Sequence, residues 1–205
     1  DNFDELVAIT ALYRPGPMES GMVDMYVKNK FNKEAVFVEF EELRDILEPT
    51  HQTIVFQESV MKIVQVLGGF SLGGADLVRR AMGKKIKEEL DNLKGQFIEG
   101  VLKKYEGRHL TLNNLEQFAI SQELILYYNG QDIEFKTVKE MNDLNLGEQF
   151  SEKEFGRLII KKGEKLNISE DYITRLLANN LFENIIKFAG YGFNKSHAYA
   201  YTNVS

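Results

Sequence analysis

The sequence of 205 residues contains no cysteine and only three histidines. Without cysteine the chain can form neither a disulfide nor a thiolate metal site, and it has no thiol nucleophile. The histidines stand at positions 51, 109 and 197, too far apart for a local zinc motif. A metal site in this chain would therefore need carboxylates.

Long apolar runs are also missing. No stretch of about 18 apolar residues occurs, and the chain does not start with a basic segment followed by an apolar one. These absences predict a cytoplasmic protein with no membrane partner and no signal peptide. A content of 43% hydrophobic and 27% charged residues is ordinary for a globular domain.

The chain has no overall excess of basic residues. A net charge of −6 argues against a nucleic-acid binder with one large basic face. The charge alternates along the sequence, however, with −7 over residues 1–58, +4 over 59–108, −5 over 109–172 and +2 over 173–205. The two basic blocks are therefore the candidates for anion binding.

Apolar spacing predicts a mainly helical protein. Helices are expected at 3–12, 41–47, 59–67, 77–87, 90–105 and from about 170 to 188, with one short strand at 53–57 (TIVFQ). The four glycines of GGFSLGGAD, residues 68–76, are expected to interrupt the helical pattern.

The segment 109–168 differs from the rest in being acidic and rich in asparagine. Within 123–137, Asn129-Gly130 separates two alternating runs and predicts a β-hairpin. We therefore expect a helical domain made of 1–108 and 169–205, interrupted by a small α+β insertion at 109–168. Two interpretations of the insertion stay open, a tolerated surface elaboration and a docking site for a partner.

The segment LVRRAMGKKIK, residues 77–87, has five cationic side chains and no acidic one. On a helical projection Arg79, Arg80, Lys84 and Lys87 share one face, opposite an apolar face. Such a face suits phosphate, because arginine binds two oxygens at once and lysine adds a mobile charge. The alternative is an ordinary solvated basic face.

The segment FAGYGFNKSHAYAY, residues 188–201, gathers aromatic rings, an amide, a lysine, a hydroxyl and a histidine around two glycines. Rings and a cation can hold a base or sugar while Asn194, Lys195 and His197 reach phosphate or hydroxyl groups. The alternative is a helix start packed by aromatic rings.

Closely spaced carboxylates of the kind that hold two metal ions are missing. The densest acidic groups look like solvated helix faces; they are Glu39, Glu41 and Glu42, and Asp1, Asp4 and Glu5. Gln57 and Glu58 stand between the predicted strand and the next helix and are interpreted as a polar strand end.

Four segments, in this order, resemble the fingers of the alpha subunit of bacterial DNA polymerase III, a C-family replicative polymerase. They are ALYRPGPM at 11–18, TIVFQESVMKI at 53–63, GGFSLGGADLVRRAMGKK at 68–85 and FAGYGFNKSHAYAY at 188–201. The segments RRAMGKK and GYGFNKSHA favour the DnaE type over the PolC type. The resemblance covers 1 to about 105 and about 170 to 205, and the connection between these parts is longer here than the family pattern implies.

The resemblance implies a fragment of a DNA-directed DNA polymerase, a nucleotidyltransferase. In that family a primer 3′-hydroxyl attacks the α-phosphate of a deoxynucleoside triphosphate (dNTP) with the help of two Mg²⁺ ions. The metal-binding aspartates belong to a palm domain outside this chain, so the resemblance implies no catalytic residue and no metal ligand here, and we expect the isolated chain to be inactive. The implied partners are dNTP, primer-template DNA and other replicase subunits.

By position in the motifs, the resemblance places Arg79 and Arg80 against the incoming triphosphate. Lys84 and Lys85 would add supporting charge. Asn194, Lys195, Ser196 and His197 would line the same nucleotide pocket. A competing interpretation is a non-catalytic helical module that binds nucleic acid or protein, which would explain the missing carboxylates but not four polymerase-like segments in order.

Overall fold

The computed structural model describes residues 3–33, 36–84, 86–108, 110–169, 171–189, 191–192 and 194–202. These residues form two compact units. One unit is made of Asp1–Glu106 and Arg175–Ser205, and the other of Gly107–Thr174.

The first unit is helical. Its elements are α1 (Phe3–Leu12), α2 (Pro15–Glu19), α3 (Met22–Phe31), α4 (Glu42–Leu47), a 3₁₀ turn (Glu48–Thr50), α5 (Gln57–Val66), α6 (Leu72–Lys84), α7 (Lys87–Lys104), the main part of α10 (Tyr172–Ala189) and α11 (Lys195–Thr202). A hydrophobic cluster joins the start of the chain to its end, because α1 packs against α11 and both enclose buried Phe56. The other buried members of this cluster are Val7, Ala8, Ala11, Leu12, Met22, Tyr26, Val55, Phe188 and Ala198.

The strand predicted at 53–57 is wrong. Phe56 makes only an isolated bridge, and helix α5 already begins at Gln57. In a sheet, the carbonyl of Thr53 would accept a hydrogen bond from a neighbouring strand. Here it accepts one from the hydroxyl of Thr50, at 2.7 Å. The β-branched and aromatic side chains are there to fill the core rather than to pair in a sheet.

The predicted interruption at 68–76 is too long. Helix α6 begins at Leu72, and the Ser71 hydroxyl accepts a hydrogen bond from the N–H of Gly74 at 3.1 Å, as an N-cap does. Glycine is needed instead for close packing of α7: a Cβ built on Gly100 would lie 1.9 Å from the carbonyl oxygen of Gly68. Two glycines thus let a helix and a turn touch through their backbones.

The second unit has a three-stranded sheet in the order β2-β1-β3. Its elements are α8 (Leu112–Ser121), β1 (Ile125–Tyr128), β2 (Ile133–Lys136), α9 (Val138–Asp143), a 3₁₀ turn (Glu152–Glu154) and β3 (Leu158–Ile160). Strands β1 and β2 are antiparallel, whereas β1 and β3 are parallel. The hairpin predicted at Asn129-Gly130 is confirmed, and Gly130 takes φ +101° in its turn.

The architecture confirms a mainly helical fold with a small α+β part. None of the helices in the described ranges combines the length and the apolar character needed to cross a membrane.

Candidate functional site

The basic face of α6 is partly exposed, as the sequence predicts. The side chains of Arg79 and Arg80 are 39% and 55% exposed, and Lys84 is also exposed. Their opposite face is buried through Ala75, Val78, Ala81 and Met82. Lys87 does not belong to this face, because α6 ends at Lys84 and Lys87 is the first residue of α7. Lys85 lies outside the described residues.

A carboxylate that our sequence interpretation overlooked binds both arginines. Asp76 accepts at Oδ1 from Nε and Nη2 of Arg79, at 2.9 and 2.7 Å, and its Oδ2 lies 3.0 Å from Nε of Arg80. The hydrogen bond from Arg79 lowers the pKa of Asp76, with added attraction from both guanidinium charges. The signal was in the sequence, since residues three and four apart are neighbours on a helix.

Arg79 also borders the start of α5. A small cleft is lined by Gln57 and Val60 of α5 and by Arg79, Met82 and Gly83 of α6. Its volume of about 20 Å³ is enough for one water molecule. A triphosphate would therefore have to lie over the cleft, on the exposed arginine face, rather than inside it.

The start of α11 presents the second predicted set of residues. The Oδ1 atom of Asn194 accepts from the N–H of His197 at 3.3 Å, so Asn194 caps the helix. The amide of Lys195 donates to Glu58 of α5 at 3.1 Å, and its Nζ lies 5.6 Å from the Phe56 ring centroid. Ser196 and His197 are exposed. At least part of the chemistry of this segment is therefore structural.

The segment around Arg14 contacts Tyr191, which precedes α11 in the chain. The guanidinium of Arg14 donates to the carbonyl of Ala11 at 2.8 Å and, through Nη2, to the carbonyl of Tyr191. A Cβ on Gly16 would lie 2.5 Å from the ring of Tyr191, so a larger residue at position 16 would displace this partly exposed ring. The first and the last of the four predicted segments are thereby in direct contact.

Three consecutive residues connect these groups. Phe56 and Glu58 contact Lys195, while Gln57 between them shares a cleft with Arg79. The basic face of α6 and the start of α11 thus flank the same end of α5. The result is a surface with guanidinium and ammonium donors, which is suited to a polyanion.

The described residues do not fit a magnesium pair. No group of three or more histidine, aspartate or glutamate side chains lies together among them. Mg²⁺ needs carboxylate oxygens, and the two carboxylates at the site already bind arginines and a backbone amide. The arrangement is suited to an anion, and its described carboxylates are not grouped as a metal centre requires.

The family model of the bacterial DNA polymerase III alpha subunit finger domain matches residues 1–105. The match ends where the first unit is interrupted, since the second unit begins at Gly107.

Individual proteins resemble the chain, some of them over its whole length and one over about half of it. The DNA polymerase III subunit alpha of Campylobacter jejuni is 36% identical over 205 residues, which is 100% of this chain and 12% of that protein. The Helicobacter pylori protein of the same name is 38% identical over 204 residues, 100% of this chain and 11% of its own length. That of Aquifex aeolicus is 48% identical over 104 residues, 51% of this chain and 9% of its own length. The chain thus spans about 12% of the curated relatives that it matches throughout.

Proposed function

We propose that this chain, which belongs to the family of bacterial DNA polymerase III alpha subunit finger domains, binds the triphosphate of an incoming dNTP during template-directed DNA synthesis. Arg79 and Arg80 are the primary ligands in this proposal. Lys84 and Lys85 add charge, and Asn194, Lys195, Ser196 and His197 border the nucleotide from the other side of α5.

One observation supports this proposal above the others: two segments that are distant in sequence each contact residues at the start of α5. Arg79 and Lys195 are far apart in sequence, yet they adjoin Gln57 and Glu58, which are consecutive. A solvated basic face would not require a second donor-rich segment at the same end of α5. Cationic side chains and helix starts are both common binding elements for phosphate groups.

The chemistry that these residues can supply is charge stabilisation. When a dNTP reacts, negative charge develops on the leaving pyrophosphate, and guanidinium groups fixed beside it lower the barrier. One well-placed donor of this kind typically contributes about 3 kcal/mol to the transition state. Because the described residues do not fit Mg²⁺, we assign no metal step to this chain and propose that the catalytic carboxylates belong to the longer polypeptide.

The remaining partners are proposed for that longer polypeptide. They are primer-template DNA and other subunits of the replicase. We propose that the unit Gly107–Thr174 takes no part in nucleotide binding.

Replacement of Arg79 and Arg80 by alanine in the longer polymerase tests the proposal. We expect kcat/KM for dNTP to fall at least 100-fold, about the loss of one strong donor contact, while affinity for primer-template DNA stays within about twofold. A matched control is Lys161→Ala with Lys162→Ala, which removes two exposed cations from the second unit and should change neither quantity. An equal loss of DNA affinity in the arginine variant would favour a general nucleic-acid-binding module instead.

A further inference from the structure

We propose that Asp76 is a positioning residue that aims the Arg79–Arg80 pair at a polyphosphate. This inference rests on the proposed function. The bridging carboxylate is part of the same helix as both arginines, so the three side chains form one preassembled group on α6.

The bonding pattern leaves the outer edge of each guanidinium available. A guanidinium has five N–H donors. Asp76 takes the Nε and Nη2 side of Arg79 and the Nε side of Arg80. The Nη1 group of Arg79 and both terminal groups of Arg80 have no described protein acceptor, and these are the donors that can reach phosphate oxygens.

Asp76 is placed to do this by helical spacing. Arg79 and Arg80 follow it by three and four residues, which puts both guanidiniums on its side of the helix. Adjacent arginines repel each other, and a free arginine side chain has about 2 kcal/mol of rotamer entropy to lose on binding. A carboxylate that holds both in advance removes part of that cost before the ligand arrives.

The same carboxylate also opposes an anion by its charge. The two effects have opposite signs, so removal of the charge alone does not reveal the positioning role. The chain provides a control for the charge in Glu88, which is exposed in the first turn of α7 and forms no ion pair in the described part of the chain. Asp76→Asn and Glu88→Gln each remove one negative charge, but only the first releases the arginines.

The experiment measures binding of inorganic tripolyphosphate to the 205-residue chain by calorimetry at 0.15 M salt, with circular dichroism to verify folding. We expect Asp76→Asn to bind 3- to 10-fold more weakly than Glu88→Gln. The charge effect works against this difference. Asp76 is nearer the arginines than Glu88 is, so removal of its negative charge favours anion binding more. Asp76→Asn binding as tightly as Glu88→Gln, or more tightly, would overturn the positioning role.

A spectroscopic readout reports the positioning directly. In the free protein the Nε–H resonances of Arg79 and Arg80 should be observable and protected from solvent exchange, and Asp76→Asn should remove that protection while Glu88→Gln preserves it. Unprotected resonances in the unsubstituted chain would also overturn the inference.

A different result is expected if the proposed function itself is wrong. In that case the unsubstituted chain would bind tripolyphosphate no better than the variant with Arg79→Ala and Arg80→Ala. The inference about Asp76 fails by itself when that comparison shows a clear loss but Asp76→Asn matches Glu88→Gln.

Discussion

The carboxylate of Glu58 accepts a hydrogen bond from the backbone N–H of Lys195 at 3.1 Å, across 137 positions of sequence. The first backbone N–H groups of a helix have no acceptor within that helix. The Glu58 carboxylate supplies an acceptor for one of these groups in α11. With the Asn194 cap, this contact satisfies two backbone N–H groups at the start of α11. The start of α5 thus orders the start of α11.

Loss of this contact should loosen α11 selectively. We expect Glu58→Ala to lower the free energy of unfolding by about 1–2 kcal/mol, the usual size for a helix cap and a charged hydrogen bond. Glu58→Gln should lose less, since it keeps an acceptor. Hydrogen exchange is the measurement, and the amides of α11 should lose more protection than those of α7. Glu19→Ala, at an exposed position, is the control, and equal effects of the two alanine variants would refute the link.

The contact between Gly100 and the Gly68 carbonyl predicts an asymmetry within α7. Gly100→Ala should destabilise the first unit by more than about 2 kcal/mol, because an added Cβ would meet backbone that cannot swing away. Gly95→Ala lies in the same helix with open space around it and should stabilise by about 0.5–1 kcal/mol through helix propensity. Urea unfolding of both variants checks this, and two changes of the same sign would contradict the packing.

Glu39 gives a pH dependence. Burial raises its pKa to about 7 from the model-peptide value of 4.5, so the folded chain holds this proton more tightly than the unfolded chain. The tighter binding of this proton by the folded chain favours folding. This contribution to the free energy of unfolding is fully present below pH 4.5 and is lost as the pH rises through 7.

Glu39→Gln removes this titration. At pH 8 the variant should be about 2 kcal/mol more stable than the unsubstituted chain, a value reduced for partial exposure, and near pH 4.5 the two should agree. Urea unfolding at both pH values gives the comparison. A constant difference across the range would show that Glu39 does not titrate in this way.

The sequence predicted the elements whose signals are local. Helix α1 follows from its apolar spacing, and the hairpin at Asn129-Gly130 follows from a turn that requires φ above zero at glycine. Composition misled at 53–57, where β-branched residues serve the core, and at Gly73, which lies inside α6 because Ser71 caps that helix.

The arginine pair was predictable as a cationic face, but its partner was not taken into account, although Asp76 stands at helical spacing from both residues. The bond between Glu58 and Lys195 could not be found this way. It depends on how α5 and α11 pack, and no local pattern encodes a contact over that distance in sequence.

The most direct test of the account is to locate a bound nucleotide on the chain. Mn²⁺ complexed with dATP broadens the resonances of nearby amides, and Mn²⁺ alone corrects for ion binding elsewhere. We predict that the amides of Arg79 to Gly83 and those of Asn194 to Ser196 broaden together, with Gly107–Thr174 unaffected. Broadening at only one of the two segments, or none beyond that caused by Mn²⁺ alone, would contradict a shared triphosphate site at the start of α5.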